Sequence, residues 1–295
     1  MSNAAEIVVI SGKGGTGKTS IASALLYEFG DVALGADCDV DGSNFPILFD
    51  PQPLESIPFY GSQVAVINEE NCRGCDACAK VCRFEAVEKG ARAKILRDAC
   101  EGCGYCVQIC PFGAITMEDR LTGTIKVSSI RTGTLMVHGD LEVGGDNSGR
   151  LVAEIREKAH VKARELGKSL IITDGSPGIG CPVVSSISGA NYVLLVTEPS
   201  LSGIHDLERV AALVTGFSIP SGIVINKADL NLRNRDTIVL LGKKMGLPIM
   251  AEFPFTHVFS ESLKQLKTLM ETNDTNLINR ITHLTKRLKS SLEVK

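Results

Sequence analysis

The chain has 295 residues, 44% of them hydrophobic and 22% charged, and a net charge of -3. That make-up is ordinary for a globular protein with room for a large domain and a small insert, and it offers no basic field to draw nucleic acid. The start does not read as a secretory leader and no apolar run approaches membrane-spanning length, so the ten cysteines point to metal or redox chemistry in a cytoplasmic protein rather than to disulfides.

The apolar run Ile7–Ile10 empties into a glycine loop, and a helix-like stripe of Ile21, Ala22, Ala24, Leu25 and Leu26 follows. Gly12, Gly17, Lys18 and Thr19 fit the phosphate-loop pattern G-x-x-x-x-G-K-[ST]. Small residues at Gly12, Gly14, Gly15, Thr16 and Gly17 let backbone N–H groups curl around phosphate oxygens, with Ser20 opening the helix behind them. The motif assigns Lys18 to the β- and γ-phosphates and the Thr19 hydroxyl to Mg²⁺.

A second lysine, Lys13, directly follows the first glycine. With it the loop resembles the deviant phosphate loop of the MinD/Mrp/ParA ATPases. The resemblance implies an α/β fold with a doubly wound, mostly parallel sheet. It also implies a slow, Mg-dependent, partner- or dimer-stimulated ATPase, and a homodimer with ATP sandwiched at the interface, where Lys13 serves the partner's nucleotide.

The next buried segment, Val32–Ala36, ends in Asp37-Cys38-Asp39, where ligands collect in parallel sheets. The same resemblance places Asp37 near Mg²⁺ and makes Asp39 the group that positions or deprotonates the attacking water. Four prolines between Pro46 and Pro58 predict a linker.

Cys72, Cys75, Cys78 and Cys82 follow C-x2-C-x2-C-x3-C, and Cys100, Cys103, Cys106 and Cys110 repeat it, every member displaced by the same interval. Paired C-x-x-C elements also build zinc sites, but two identical four-member runs are better explained by two clusters. Gly74, Gly102 and Gly104 allow the sharp backbone. The duplication resembles the bacterial two-cluster ferredoxins, in which the fourth cysteine of each run ligates the other cluster. That resemblance implies one 4Fe-4S cluster on Cys72, Cys75, Cys78 and Cys110 and another on Cys82, Cys100, Cys103 and Cys106. Pro111 follows Cys110 as the pattern expects, whereas Arg83 stands after Cys82. The expected domains are 1–59 and 120–295 for the ATPase, interrupted by a small α+β ferredoxin-like insert at 60–119.

Strands are expected at 124–127 and 134–138, a glycine-rich break at 144–149, and a helix over 150–165 capped by Ser148. Ser169–Asp174 reads as a central strand whose carboxylate, Asp174, binds Mg²⁺. The glycine-rich Gly175–Pro182 segment is the expected second switch, and Cys181 reads as a simple buried thiol.

After a strand over 192–197 and a helix over 202–215 comes Asn226-Lys227-Ala228-Asp229. Alone, this tetrapeptide resembles the guanine-reading motif of GTPases; with Lys13, ATP is favoured. Asn226, Lys227 and Pro254 are the expected base-side residues. The tail from Thr275 carries Leu277, Ile281, Leu284 and Leu288 at helical spacing, which predicts a helix packed on the sheet rather than a membrane anchor. None of the histidines forms a metal motif.

The whole pattern resembles MinD-superfamily ATPases with an inserted ferredoxin domain. It implies coupling of an ATP cycle to electron transfer or to maturation of a metalloprotein client. The alternative is a MinD-like positioning switch with redox-sensing clusters.

Overall fold

The computed structural model describes residues 4–142 and 147–293. The chain divides into two compact units, one of Met1–Ile57, Ile125–Asp140 and Ser148–Lys295, the other of Pro58–Thr124 and Leu141–Asn147.

The first unit is built on strands β1 (Ala5–Ser11) and β2 (Ala33–Asp37), with helix α1 (Lys18–Phe29) between them. In the second unit the order is β3 (Gln52–Ile67), α2 (Ala77–Val81), β4 (Val87–Glu88), β5 (Lys94–Ile95), α3 (Tyr105–Ile109) and β6 (Ile115–Ser129); β3 and β6 carry the chain across the boundary. The first unit then continues through β7 (Leu135–Leu141), α4 (Ser148–Glu165), β8 (Leu170–Pro177), α5 (Cys181–Ile187), β9 (Tyr192–Thr197) and α6 (Leu201–Gly216). It ends with β10 (Ser221–Ile225), α7 (Leu232–Met245), β11 (Ile249–Glu252), α8 (Val258–Lys264) and α9 (Thr275–Glu293).

The sheet order is β11-β10-β9-β1-β8-β2-β7-β6-β3. Each pairing from β11 to β7 is parallel. β1 shows why these strands are apolar throughout: Ile7 and Val9 pack into a core with α1 and α9, while Val8 and Ile10 pack into a second core with α5, α6 and α7. Both faces are covered, so alternation gives way to a continuous hydrophobic run. This is the doubly wound, mostly parallel sheet expected from the sequence.

Two expectations need correction. The proline-rich stretch is not a linker: Pro46–Phe49 forms a 3-10 turn that buries Phe45 and Phe49 edge to face at 5.7 Å, and β3 begins at Gln52. β3 is the last strand of the sheet, and an edge strand tolerates Pro53 and Pro58 because one row of its N–H groups needs no partner. Of the glycine-rich break at 144–149, residues 144–146 lie outside the described residues, and α4 begins at Ser148 itself.

α9 buries Leu277, Ile281, Leu284 and Leu288, each at most 1% exposed, against α1 and the sheet. Two of its arginines bond to the backbone at β11: Arg280 donates to the Glu252 carbonyl at 2.7 Å, and Arg287 to those of Ile249 and Met250 at 2.8 and 2.6 Å. The apolar stripe is core, and these basic groups cap carbonyls. No helix among the described residues is long and apolar enough to cross a membrane.

A buried charge cluster fixes α4 on the sheet. Glu6 on β1 receives Arg156 through two bonds, Nε to Oε1 at 2.9 Å and Nη2 to Oε2 at 2.5 Å, plus the Thr173 hydroxyl at 2.6 Å and the His160 ring at 3.1 Å. Arg156 also donates to the carbonyls of Ser185 and Ser188, both at 2.7 Å. Burial pushes the Glu6 carboxyl up, but the bonds from His160, Arg156 and Thr173 outweigh it and bring its pKa to about 2 from an ordinary 4.5. A carboxyl held low adds stability that is complete above its unfolded pKa and fades as pH falls. We therefore expect Arg156→Met to cost about 3–5 kcal/mol in denaturant unfolding, as for other broken buried pairs. Between pH 4.5 and about 2, Glu6→Gln should lose stability less steeply than the parent chain.

Candidate functional site

The turn after β1 is shaped by glycines for two different reasons. Gly15 and Gly17 hold φ of +77° and +93°, a left-handed backbone that side chains rarely adopt. A Cβ on Gly12 would meet the Asp206 backbone within 2.8 Å, so α6 can pack directly against the loop. A Cβ on Gly14 would meet nothing within 4 Å. The space beside it belongs to a cleft of about 830 Å³ lined by Gly14, Gly15, Gly17, Lys18, Thr19 and Ser20. Thr16 is buried, with a hydroxyl that has no partner among the described residues.

At the floor, β2 and β8 bring three carboxylates to Lys18. Its ammonium lies 2.8 Å from Asp174 Oδ1 and 3.1 Å from Asp39 Oδ2, while the Thr19 hydroxyl donates to Asp174 Oδ2 at 2.7 Å. Asp37 accepts from the Asp39 N–H at 3.0 Å and the Ser43 hydroxyl at 2.8 Å. Burial pushes the Lys18 ammonium down, but Asp174 and Asp39 outweigh it and raise its pKa. Burial, reinforced by Asp174, pushes the Asp37 carboxyl up to about 8. Burial likewise raises Asp174. Burial and mutual repulsion thus oppose full ionisation of these carboxyls beside a single lysine, and a divalent cation beside phosphates would supply the charge that ionises them. The donor set fits Mg²⁺, and the loop fits a nucleotide's phosphates.

Apolar side chains also line the cleft, among them Ile47, Leu48, Phe255, Phe259, Leu263 and Leu266. Pro254 is not among the lining residues; its neighbours Phe255, Thr256 and His257 are. Asn226 lines the cleft and donates to the Thr16 carbonyl at 2.9 Å, holding the phosphate loop from behind. Asp229, the last residue of the guanine-type tetrapeptide, accepts from the Phe255 N–H at 2.6 Å and so shapes this segment. Lys227 reaches the Gly15 carbonyl at 3.3 Å and Glu198 at 2.7 Å. Lys13 is turned onto its own chain, 2.6 Å from Glu198. Cys181 is exposed at the start of α5, not buried as expected, because the turn from β8 into that helix leaves its first residue at the surface.

In the second unit the cysteines form two groups. One small cavity is lined by Cys72, Cys75, Cys78 and Cys110; another by Cys82, Cys100, Cys103 and Cys106. The fourth thiol of each run therefore sits with the first three of the other. Helices α2 and α3 follow left-handed residues at equivalent places, Asp76 at φ +57° and Gly104 at φ +71°. Ala86 N–H donates to Cys82 Sγ at 3.4 Å, and Ala114 N–H to Cys110 Sγ at 3.3 Å. Gly102 is required by packing as well as by φ: a Cβ there would come 2.3 Å from the Gln63 carbonyl oxygen. Four thiols about each cavity suit a cubane with one thiolate per iron.

A family model described as a 4Fe-4S dicluster domain matches residues 65–117. The Methanocaldococcus jannaschii protein MJ0578 is 38% identical over 230 residues, covering 77% of this chain and 79% of the relative. The ATP-binding protein MJ0823 of the same organism is 25% identical over 260 residues, 84% of each chain. Among solved structures, the cell division ATPase MinD of Pyrococcus furiosus superposes with a TM-score of 0.59 at 17% identity, covering 97% of this chain and 98% of that one. The septum site-determining protein MinD of Pyrococcus horikoshii, complexed with Mg-ADP, gives 0.60 at 15% identity, covering 97% and 96%. The fold is that of MinD, and the cysteine-rich segment is a 4Fe-4S dicluster domain.

Proposed function

From a chain that belongs to the same family as MJ0578 of M. jannaschii, we propose an Mg-dependent ATPase that couples its nucleotide cycle to electron transfer by two 4Fe-4S clusters, or to maturation of a metalloprotein client. The observation that carries this reading is the presence in one chain of a phosphate loop whose Lys18 is bound by Asp39 and Asp174 and of two four-thiol groups.

In this reading the backbone of Gly12–Thr19 cradles the phosphates, and Lys18 exchanges Asp39 and Asp174 for phosphate oxygens. Thr19, Asp37 and Asp174 hold Mg²⁺, which supplies charge neutralisation at the phosphates. Asp39, freed from Lys18, orients the attacking water and takes its proton. The apolar side chains of the cleft take the base, with Asn226 positioning the loop. Asp229 is engaged by the Phe255 backbone, which favours adenine over a guanine held by that carboxylate. Lys13 serves the nucleotide of a second copy of the chain. The two thiol groups hold clusters that supply one-electron chemistry. Domain limits near 60 and 119 and a cytoplasmic location belong to the same proposal.

A positioning switch anchored by its tail loses its main support, because the apolar stripe of α9 is buried in the core. The test is a competition titration of the anaerobically loaded protein with ATP and GTP, read alongside phosphate release. ATP should bind more tightly and be hydrolysed; tighter GTP binding would reverse the nucleotide assignment, and no hydrolysis at any protein concentration would reject the enzyme.

A further inference from the structure

Glu198, at the end of β9, is bound by two lysines at once. Its Oε1 lies 2.6 Å from the Lys13 ammonium and its Oε2 2.7 Å from that of Lys227. Lys13 also donates to the hydroxyls of Ser202 at 2.8 Å and Ser200 at 3.1 Å, and the Ser200 hydroxyl donates in turn to Glu198 Oε1 at 3.3 Å. One carboxylate thus ties the phosphate loop, the turn into α6 and the loop after β10 together.

The turn that carries it has little slack. Ser200 caps α6 by accepting the Gly203 N–H at 3.0 Å, and a Cβ on Gly203 would lie 2.3 Å from the Glu198 carbonyl oxygen. Gly12 is pressed against Asp206 one helical turn further on. Lys227 takes a left-handed backbone, φ +54°, and reaches both Glu198 and the Gly15 carbonyl. Side-chain exposures of 28% for Lys13 and 16% for Glu198 make the pair wet enough to separate without stranding a buried charge.

We propose, on the reading that Lys13 serves the nucleotide of a second copy, that Glu198 is a positioning residue that parks Lys13 on its own chain and sets the protein concentration at which the ATP-bound dimer assembles. Lys13 gives up Glu198 and the two serine hydroxyls before it reaches across. Removing the carboxylate charge lowers that threshold, whereas a merely structural loss raises it.

Sedimentation velocity in Mg²⁺ and a slowly hydrolysed ATP analogue distinguishes the two claims. The parent chain should dimerise with nucleotide and Lys13→Ala should not. Glu198→Gln should dimerise at about fivefold lower concentration, the scale of one partly exposed ion pair, with ADP binding to the monomer as the fold control. No nucleotide-dependent dimer in the parent chain, or dimerisation of Lys13→Ala at parent strength, overturns the reading on which the proposal rests. A monomeric Lys13→Ala together with unchanged or weaker dimerisation of Glu198→Gln overturns the parking role alone. If Glu198→Gln does not fold, Ser202→Ala decides: it should shift the dimer in the same direction by a smaller factor, and a shift the other way overturns the proposal.

Discussion

Lys18→Met should lose nucleotide-dependent behaviour altogether: turnover falling about 10²–10³-fold, as when one preorganised charge is removed from a reacting site, and no rise in melting temperature with added Mg-ATP. The parent chain gains about 2.7 kcal/mol at a ligand concentration a hundred times the Kd, so the contrast is readable by thermal shift. Lys18 is 6% exposed and is the cation between Asp39 and Asp174, with Asp37 close enough to add to its field. Without it the carboxylates face one another in a buried floor, and the nucleotide-free protein should itself lose about 3 kcal/mol. Parent-like melting shifts in Lys18→Met would show that phosphates bind elsewhere.

The second large effect concerns the crossed thiol groups. Cys110 belongs to the second run in sequence but lines the cavity of Cys72, Cys75 and Cys78. Cys110→Ser should remove or destabilise that cluster alone, dropping iron from about eight to about four per chain. Adding Cys72→Ser should then cost no further iron, while adding Cys100→Ser should remove the rest. The opposite pattern, with Cys110 and Cys100 behaving as one unit, would mean that each run holds its own cluster. Iron analysis and low-temperature EPR of anaerobically reconstituted protein read both outcomes.

The parts of this molecule that were legible in its sequence are those written in local spacing. The phosphate loop declares itself because glycines, a lysine and a threonine must sit at fixed offsets between a strand and a helix. The eight cysteines do so because a cubane needs several thiolates from one tight turn. Leu277, Ile281, Leu284 and Leu288 recur at the period of a helix face and are all core.

What stayed hidden depends on neighbours distant in sequence. Pro53 and Pro58 look like breakers until β3 is seen at the sheet edge, where a missing N–H costs little. The exposure of Cys181 follows from the turn that ends β8, which no periodicity reports. Phe259, Leu263 and Leu266 reach the cleft from a short helix and the turn after it, with no motif of their own. Glu198 meets Lys13 across more than half the length of the sequence. The tripeptide Thr197-Glu198-Pro199 at a strand end was the available signal, and it became specific only once both lysines were placed around it.

The most direct test of coupling is the rate at which the dithionite-reduced clusters pass electrons to a small one-electron acceptor, followed anaerobically in Mg-ATP, in Mg-ADP and without nucleotide. The proposed coupling predicts a rate that changes between ATP and ADP in the parent chain and is the same in all three conditions for Lys18→Met. One rate in every condition for the parent chain, with ATP hydrolysis proceeding normally, would contradict it.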